Sequence, residues 1–182
     1  MKLYFIIPLT LLLACSSRQS SENISAETAP PSGGQSSVMD NTSKPDVVRI
    51  AANSNVHKTL VAALKAAEYV DALANPGPFT VFAPVDEAFD KLPAGTLDEL
   101  LKPENKAKLR DILEYHVYVG KITESQITDG MTLNQVNLKN VTLNRAADGK
   151  ITVNGSANVV GSVEASNGMV YVVDAVLLPP DK

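Results

Sequence analysis

Apolar positions fall into three regimes along this chain. Leu3 to Ala14 is a continuous apolar run. Ser16 to Ser43 carries only Ile24, Val38 and Met39 as large apolar residues. From Lys44 onward the apolar positions become periodic. The period is at first helical. Ser43-Lys44-Pro45-Asp46 has the form of a helix start, a Ser cap with an acid three residues on, and it predicts a short helix over Val47 to Ala52. Asn55 is placed to cap a second, longer helix reaching about Leu73, with Leu60, Ala63, Leu64, Ala67, Val70 and Leu73 on one face. Asn75-Pro76-Gly77-Pro78 stops that helix. Phe79 to Ala83 is then a strand-like run bounded by prolines. Asp86 falls at an N-cap position before a short helix holding Ala88 and Phe89. Leu97 to Leu101 and Ala107 to Tyr115 are further helical segments.

The last third changes period. Val141-Thr142-Leu143 and Ile151-Thr152-Val153 alternate about a loop ending in Asp148-Gly149, which predicts a hairpin. Val159 to Ala165 and Met169 to Val173 flank Ser166-Asn167-Gly168, which predicts a second. Pro179-Pro180 ends the last strand. Helices come first and strands later, with one strand early. That order indicates an α+β fold rather than a parallel βαβ array. There is no internal repeat.

The opening residues read as an address. Met1-Lys2 precedes an apolar run of about 12 residues, about 18 Å as a helix, which is too short for a hydrocarbon core of about 30 Å. A positive start and a short apolar stretch make a secretory signal over residues 1–14. The stretch ends Leu12-Leu13-Ala14-Cys15, which resembles the bacterial lipobox, with cleavage between Ala14 and Cys15. That resemblance implies a covalent lipid on Cys15, the single cysteine of the chain. Ser16 is not the aspartate that retains lipoproteins in the inner membrane, so an outer-membrane destination is expected if the host is Gram-negative. Residues 15–43 are expected to be a disordered Ser/Pro/Gly-rich tether, because so few apolar residues cannot repay the entropy of ordering. The expected folded domain is 44–182.

Composition narrows the function. The 182 residues carry a formal net charge of −4. No segment is basic enough to neutralise a phosphate backbone, so nucleic-acid binding is not expected. The chain has no Trp, which excludes a sugar site built on stacked indoles.

Three segments in this order resemble the fasciclin (FAS1) family. Phe79-Thr80-Val81-Phe82-Ala83-Pro84-Val85-Asp86-Glu87-Ala88-Phe89 is similar to its first box. Tyr115-His116-Val117, followed by Gly120-Lys121, is similar to its tyrosine-histidine motif. Asn167-Gly168-Met169-Val170-Tyr171-Val172-Val173-Asp174-Ala175-Val176-Leu177-Leu178-Pro179 is similar to its second box. The helix around Thr59 to Ala67 also fits. The resemblance spans about Lys44 to Pro180. It departs at Val85, where the family usually has Thr or Ser, and at Tyr171, where it often has His. It implies a wedge of β-strands with helices packed around it. It also implies an extracellular or surface-attached module engaged in adhesion through protein or polysaccharide contacts.

Several residues invite chemistry. Leu109, Ile112, Leu113 and His116 share one helical face, so His116 is expected to be buried and to need a polar partner, such as Asp86 or Thr80. Tyr115 lies off that face and is expected to be the more exposed of the two. Thr80, Asp86, Tyr115, His116 and Asp174 are the motif residues that matter, and their role is expected to be mainly structural. Asp86, Glu87 and Asp90 cluster, but a helix first turn favours acids and no neighbouring run supplies further oxygens for a calcium loop. His57, in the polar loop Asn53 to His57, is expected to be solvated. His57 and His116 lack metal spacing, so no metal is expected. There is no nucleophile elbow, zinc helix, P-loop or dinucleotide motif. Two readings follow: a non-catalytic, membrane-anchored adhesion module with an unidentified surface protein or polysaccharide as partner, or a hydrolase assembled from scattered carboxylates. The first is the expectation, with no cofactor beyond the lipid on Cys15. A purely structural envelope role belongs with the first.

Overall fold

The computed structural model describes residues 44–180. The signal, Cys15 and the tether lie outside them; the first helix, expected to be capped by Ser43, is capped by Asp46, whose carboxylate accepts Arg49 N–H at 2.8 Å. The elements in chain order are α1 (Val47–Ala52), α2 (Lys58–Ala66), α3 (Val70–Ala74), β1 (Phe79–Pro84), α4 (Asp86–Asp90), α5 (Thr96–Leu100), α6 (Lys106–Tyr115), β2 (Val117–Val119), β3 (Met131–Asn134), β4 (Asn140–Arg145), β5 (Ile151–Val153), β6 (Ala157–Ala165) and β7 (Gly168–Val173). Short 3₁₀ turns cover Pro103–Asn105 and Glu124–Gln126. The α+β architecture is as expected.

The strands form one seven-stranded sheet in the order β2-β1-β7-β6-β5-β4-β3. Both predicted hairpins are present, as β4–β5 and β6–β7. The pairing of β1 with β7 is parallel, from Phe79 beside Gly168 to Pro84 beside Val173. A parallel pair at the centre explains the unbroken apolar runs, because strands covered on both faces have no polar side to display. Val81, Ala83 and Val170 face the helices, while Phe82, Met169, Tyr171 and Val173 face a second core. The first core is closed by Val47, Val48, Leu60, Leu64, Leu109 and Leu113 from the helices. The second is enclosed by the sheet's own curl and holds Leu133, Val141, Leu143, Ile151 and Val153.

The long helix predicted to run from Asn55 to Leu73 is two. Glu68 takes φ 51, the left-handed conformation that ends a helix, and α3 begins after it. The unbroken apolar stripe concealed the break, since Ala67, Tyr69, Val70 and Leu73 all pack inward on either side of it. β2 and β3 were not predicted: with three and four residues they are too short to show a period.

Both cores lie between Val47 and Leu177. Residues 44–182 alone should therefore unfold in one cooperative step, with circular dichroism and calorimetry giving the same midpoint. Loss of that single transition on deleting 16–43 would move the domain boundary.

Candidate functional site

The three motifs converge, and they converge inward. His116 closes α6. Its Nδ1–H donates to the Ile112 carbonyl at 2.8 Å, and its bare Nε2 accepts the Leu177 N–H at 3.0 Å. Its own carbonyl accepts Phe82 N–H at 2.9 Å. One imidazole thus ties α6, β1 and the segment after β7. Its burial was expected; its partners are backbone groups rather than Asp86 or Thr80. Burial pushes the imidazole down to about 4, so it is neutral at ordinary pH.

Thr80 is fully buried. Its hydroxyl donates to Gly120 O at 2.7 Å and accepts Ile122 N–H at 3.0 Å, fixing the chain that leaves β2. Tyr115 is buried too, against expectation, at 2% exposure. The strands β3–β5 fold over the last turn of α6, so a residue off the helix-side stripe enters the second core. Its hydroxyl donates to Asn140 O at 2.9 Å and accepts from Asn154 Nδ2 at 3.0 Å. Tyr171, where the family often has His, donates to Ile122 O at 3.0 Å, and burial pushes its hydroxyl up to about 12.

Asp86 caps a helix, but not its own. Val85 is the N-cap of α4 and supplies no side-chain bond. The Asp86 carboxylate instead receives Thr59 N–H at 2.7 Å and Lys58 N–H at 3.3 Å, capping α2 from across the fold. Asn55 does not cap that helix; its N-cap residue is His57, whose side chain makes no cap bond. Burial pushes the Asp86 carboxyl up, but the bonds from Thr59 and Lys58 outweigh it and hold the group below its ordinary value. Asp86→Ala should cost about 1–2 kcal/mol in urea unfolding, with Asp86→Asn milder because one acceptor survives. Asp174 receives Asn158 N–H and Nδ2–H at 2.7 and 2.8 Å, clamping β6 to the end of β7. These bonds from Asn158 hold its carboxyl below the ordinary range.

His57 is buried, not solvated. Nδ1 lies 2.8 Å from Ser54 Oγ, and Nε2 has no partner among the described residues. Burial lowers its pKa, opposed by the Ala83 backbone and the Asp86 charge. The polar composition of Asn53 to His57 concealed this, since it is the end of β1 that covers the ring.

Asn167 carries more than its motif place suggested. Its Oδ1 accepts Val47 N–H at 2.9 Å, and its Nδ2 donates to Leu73 O and Asn75 O, each at 2.8 Å. One amide at the β6–β7 turn thus holds the ends of α1 and α3. The motif pattern marks Asn167 only as a turn residue.

An open groove lies elsewhere. A hollow of about 920 Å³ runs between α5, α6 and Leu178 to Pro180, within the size range of ligand clefts. None of the motif candidates lines it. Two of its three lining carboxylates are paired: Glu99 with Lys102 at 2.5 Å, and Asp111 with Lys139 at 3.8 Å. Three distant stretches build it, so no local sequence pattern announces it.

Helices over one face of a mixed sheet, with three motifs spent on joining layers, define a structural α+β module whose motif residues are inward. The chain belongs to the fasciclin family: the fasciclin domain model matches residues 55–179. Protein sll1483 of Synechocystis is 49% identical over 135 residues, covering 74% of this chain and 73% of that protein. Cell surface glycolipoprotein MPB83 of Mycobacterium bovis is 41% identical over 139 residues, covering 74% of this chain and 60% of its own length. A FAS1 domain pair from the insect cell adhesion molecule Fasciclin I superposes with a TM-score of 0.66 at 20% identity, over 74% of this chain and 51% of that one; it supports the fold alone.

Proposed function

We propose that this chain is a lipid-anchored, extracytoplasmic binding module, non-catalytic, which presents one fasciclin domain to a surface protein or polysaccharide. The observation that carries the reading is Cys15, the only cysteine, placed where the apolar run ends and about 30 residues before the folded part begins. No helix among the described residues is long and apolar enough to cross a membrane. Similarity to a cell surface glycolipoprotein supports the same placement. The burial of Thr80, Tyr115, His116 and Tyr171 supports a non-catalytic role, because a reacting group must reach its substrate.

Several acyl chains hold firmly, since each buried methylene contributes about 0.8 kcal/mol and one chain alone is marginal. The wild-type protein should enter the detergent phase and incorporate labelled palmitate, and Cys15→Ala should do neither. A freely soluble wild-type protein whose mature start lies elsewhere than Cys15 would end the anchor reading.

A further inference from the structure

Leu138, in the turn between β3 and β4, is out of place twice over. It is 81% exposed, more than any other large apolar side chain among the described residues. It also takes φ 64, the left-handed conformation that a turn ordinarily gives to Gly or Asn. A leucine there gains no burial and carries backbone strain, so the fold of a single molecule supplies no reason for it.

The turn that carries it is firmly held. Gln135 N–H donates to Lys139 O at 2.8 Å, and Leu138 N–H to Gln135 O at 2.9 Å. The residues on either side of Leu138 both reach Asp111 on α6. Asn137 Nδ2 donates to Asp111 O and Oδ1, each at 3.2 Å, and Lys139 Nζ lies 3.8 Å from Oδ2. Lys139 also donates to Pro180 O at 3.0 Å. Asp111, Lys139 and Pro180 line the groove beside α6, whereas Leu138 does not. The turn is thus fastened to the rim of the groove with its leucine outside. The groove has apolar lining in Leu100 and Ile112, and Leu178, 51% exposed, stands in its wall. Two of its lining charges make no ion pair among the described residues: Asp98 of α5 and Lys108 of α6.

We propose that this face is the contact between two copies of the chain, related by a twofold axis, with Leu138 of each seated in the groove of the other. A projecting residue beside a hollow on one face is self-complementary. A twofold axis between them exchanges knob and hollow, and the contact closes as a dimer instead of growing as a fibre. The same axis sets Asp98 of each copy toward Lys108 of the other, so both unpaired charges gain a neighbour of opposite sign. The hollow of about 920 Å³ exceeds what one leucine side chain needs, so the tip of the turn enters with it. A second copy is favoured over an unrelated peptide because the knob, the hollow and both charges lie together on one molecule. The dimer does not depend on Cys15 being lipidated.

The test uses the full chain after signal removal, carrying Cys15→Ser to exclude lipid and disulfide, in sedimentation equilibrium up to about millimolar protein. That chain should show a reversible monomer–dimer equilibrium. Adding Leu138→Asn should raise the dissociation constant about tenfold or more. It should also raise the thermal midpoint of the monomer, because Asn tolerates the left-handed turn. Asp98→Lys should weaken the dimer, and Lys108→Asp added to it should restore the dimer. A monomer throughout the range would overturn the proposal and leave the groove to a different molecule. So would a dimer indifferent to Leu138→Asn, or one that the paired charge exchange fails to restore.

Discussion

Gly168→Ala is expected to cost about 4 kcal/mol or more in urea unfolding, the largest loss from any single methyl added to this domain. A Cβ on Gly168 would stand 1.9 Å from Phe79 O and 2.8 Å from Phe79 C, both backbone atoms. Nothing flexible can yield there. Phe79 and Gly168 are the first rung of the parallel β1–β7 pair, and Phe79 N–H is bonded to Asn167 O at 2.9 Å, so moving either chain loosens the centre of the sheet. Gly161→Ala is the control. A Cβ at Gly161 meets nothing within 4 Å, and its change should stay within about 0.5 kcal/mol. Equal midpoints for the two variants would show that β1 and β7 do not approach as closely as described.

His116→Ala should lower stability by about 3 kcal/mol or more. It leaves the buried N–H of Leu177 without an acceptor, at a cost of about 1–3 kcal/mol, and the vacated ring volume adds to that. The same residue sets a pH dependence. Its folded pKa is about 4 against an ordinary value of 6.5, so between those values the unfolded chain binds the proton and the folded one does not. Stability is therefore full above about pH 6.5 and is lost as pH falls toward about 4. The span corresponds to roughly 3 kcal/mol at about 1.4 kcal/mol per unit. His57, also lowered, adds in the same direction. Unfolding free energies measured between pH 7 and pH 5 should fall more steeply for wild type than for His116→Ala. Any adhesion by the variant should track the amount of folded protein. A His116→Ala protein of unchanged stability that has lost binding would make His116 a contact residue and overturn the structural role.

The motif residues show how far a one-dimensional pattern reaches. The burial of His116 follows from the stripe Leu109, Ile112 and Leu113, because a helix face is set by local spacing. The burial of Tyr115 does not follow, because it depends on a second layer, β3 to β5, folding over the end of α6. Asp86 was legible as a helix cap, but the helix it caps starts 28 residues earlier, at Lys58. Local patterns assign a cap to the next turn of chain, and here the capped N–H groups arrive from across the fold. The same holds for Asn167, whose three side-chain bonds go to residues at least 92 positions away.

The sequence by itself determined the α+β class, both hairpins, most helices and the family, since each rests on periodicity, turn chemistry or contiguous motifs. It also determined the placement of Cys15 at the end of an apolar run. Tertiary structure decided the rest: the parallel β1–β7 pair, the second core, the partners of every motif side chain and the groove beside α6. Those features arise where segments distant in sequence meet. Backbone carbonyls and N–H groups serve as partners at most of those meetings, and they are common to every residue, so no side-chain pattern can announce them.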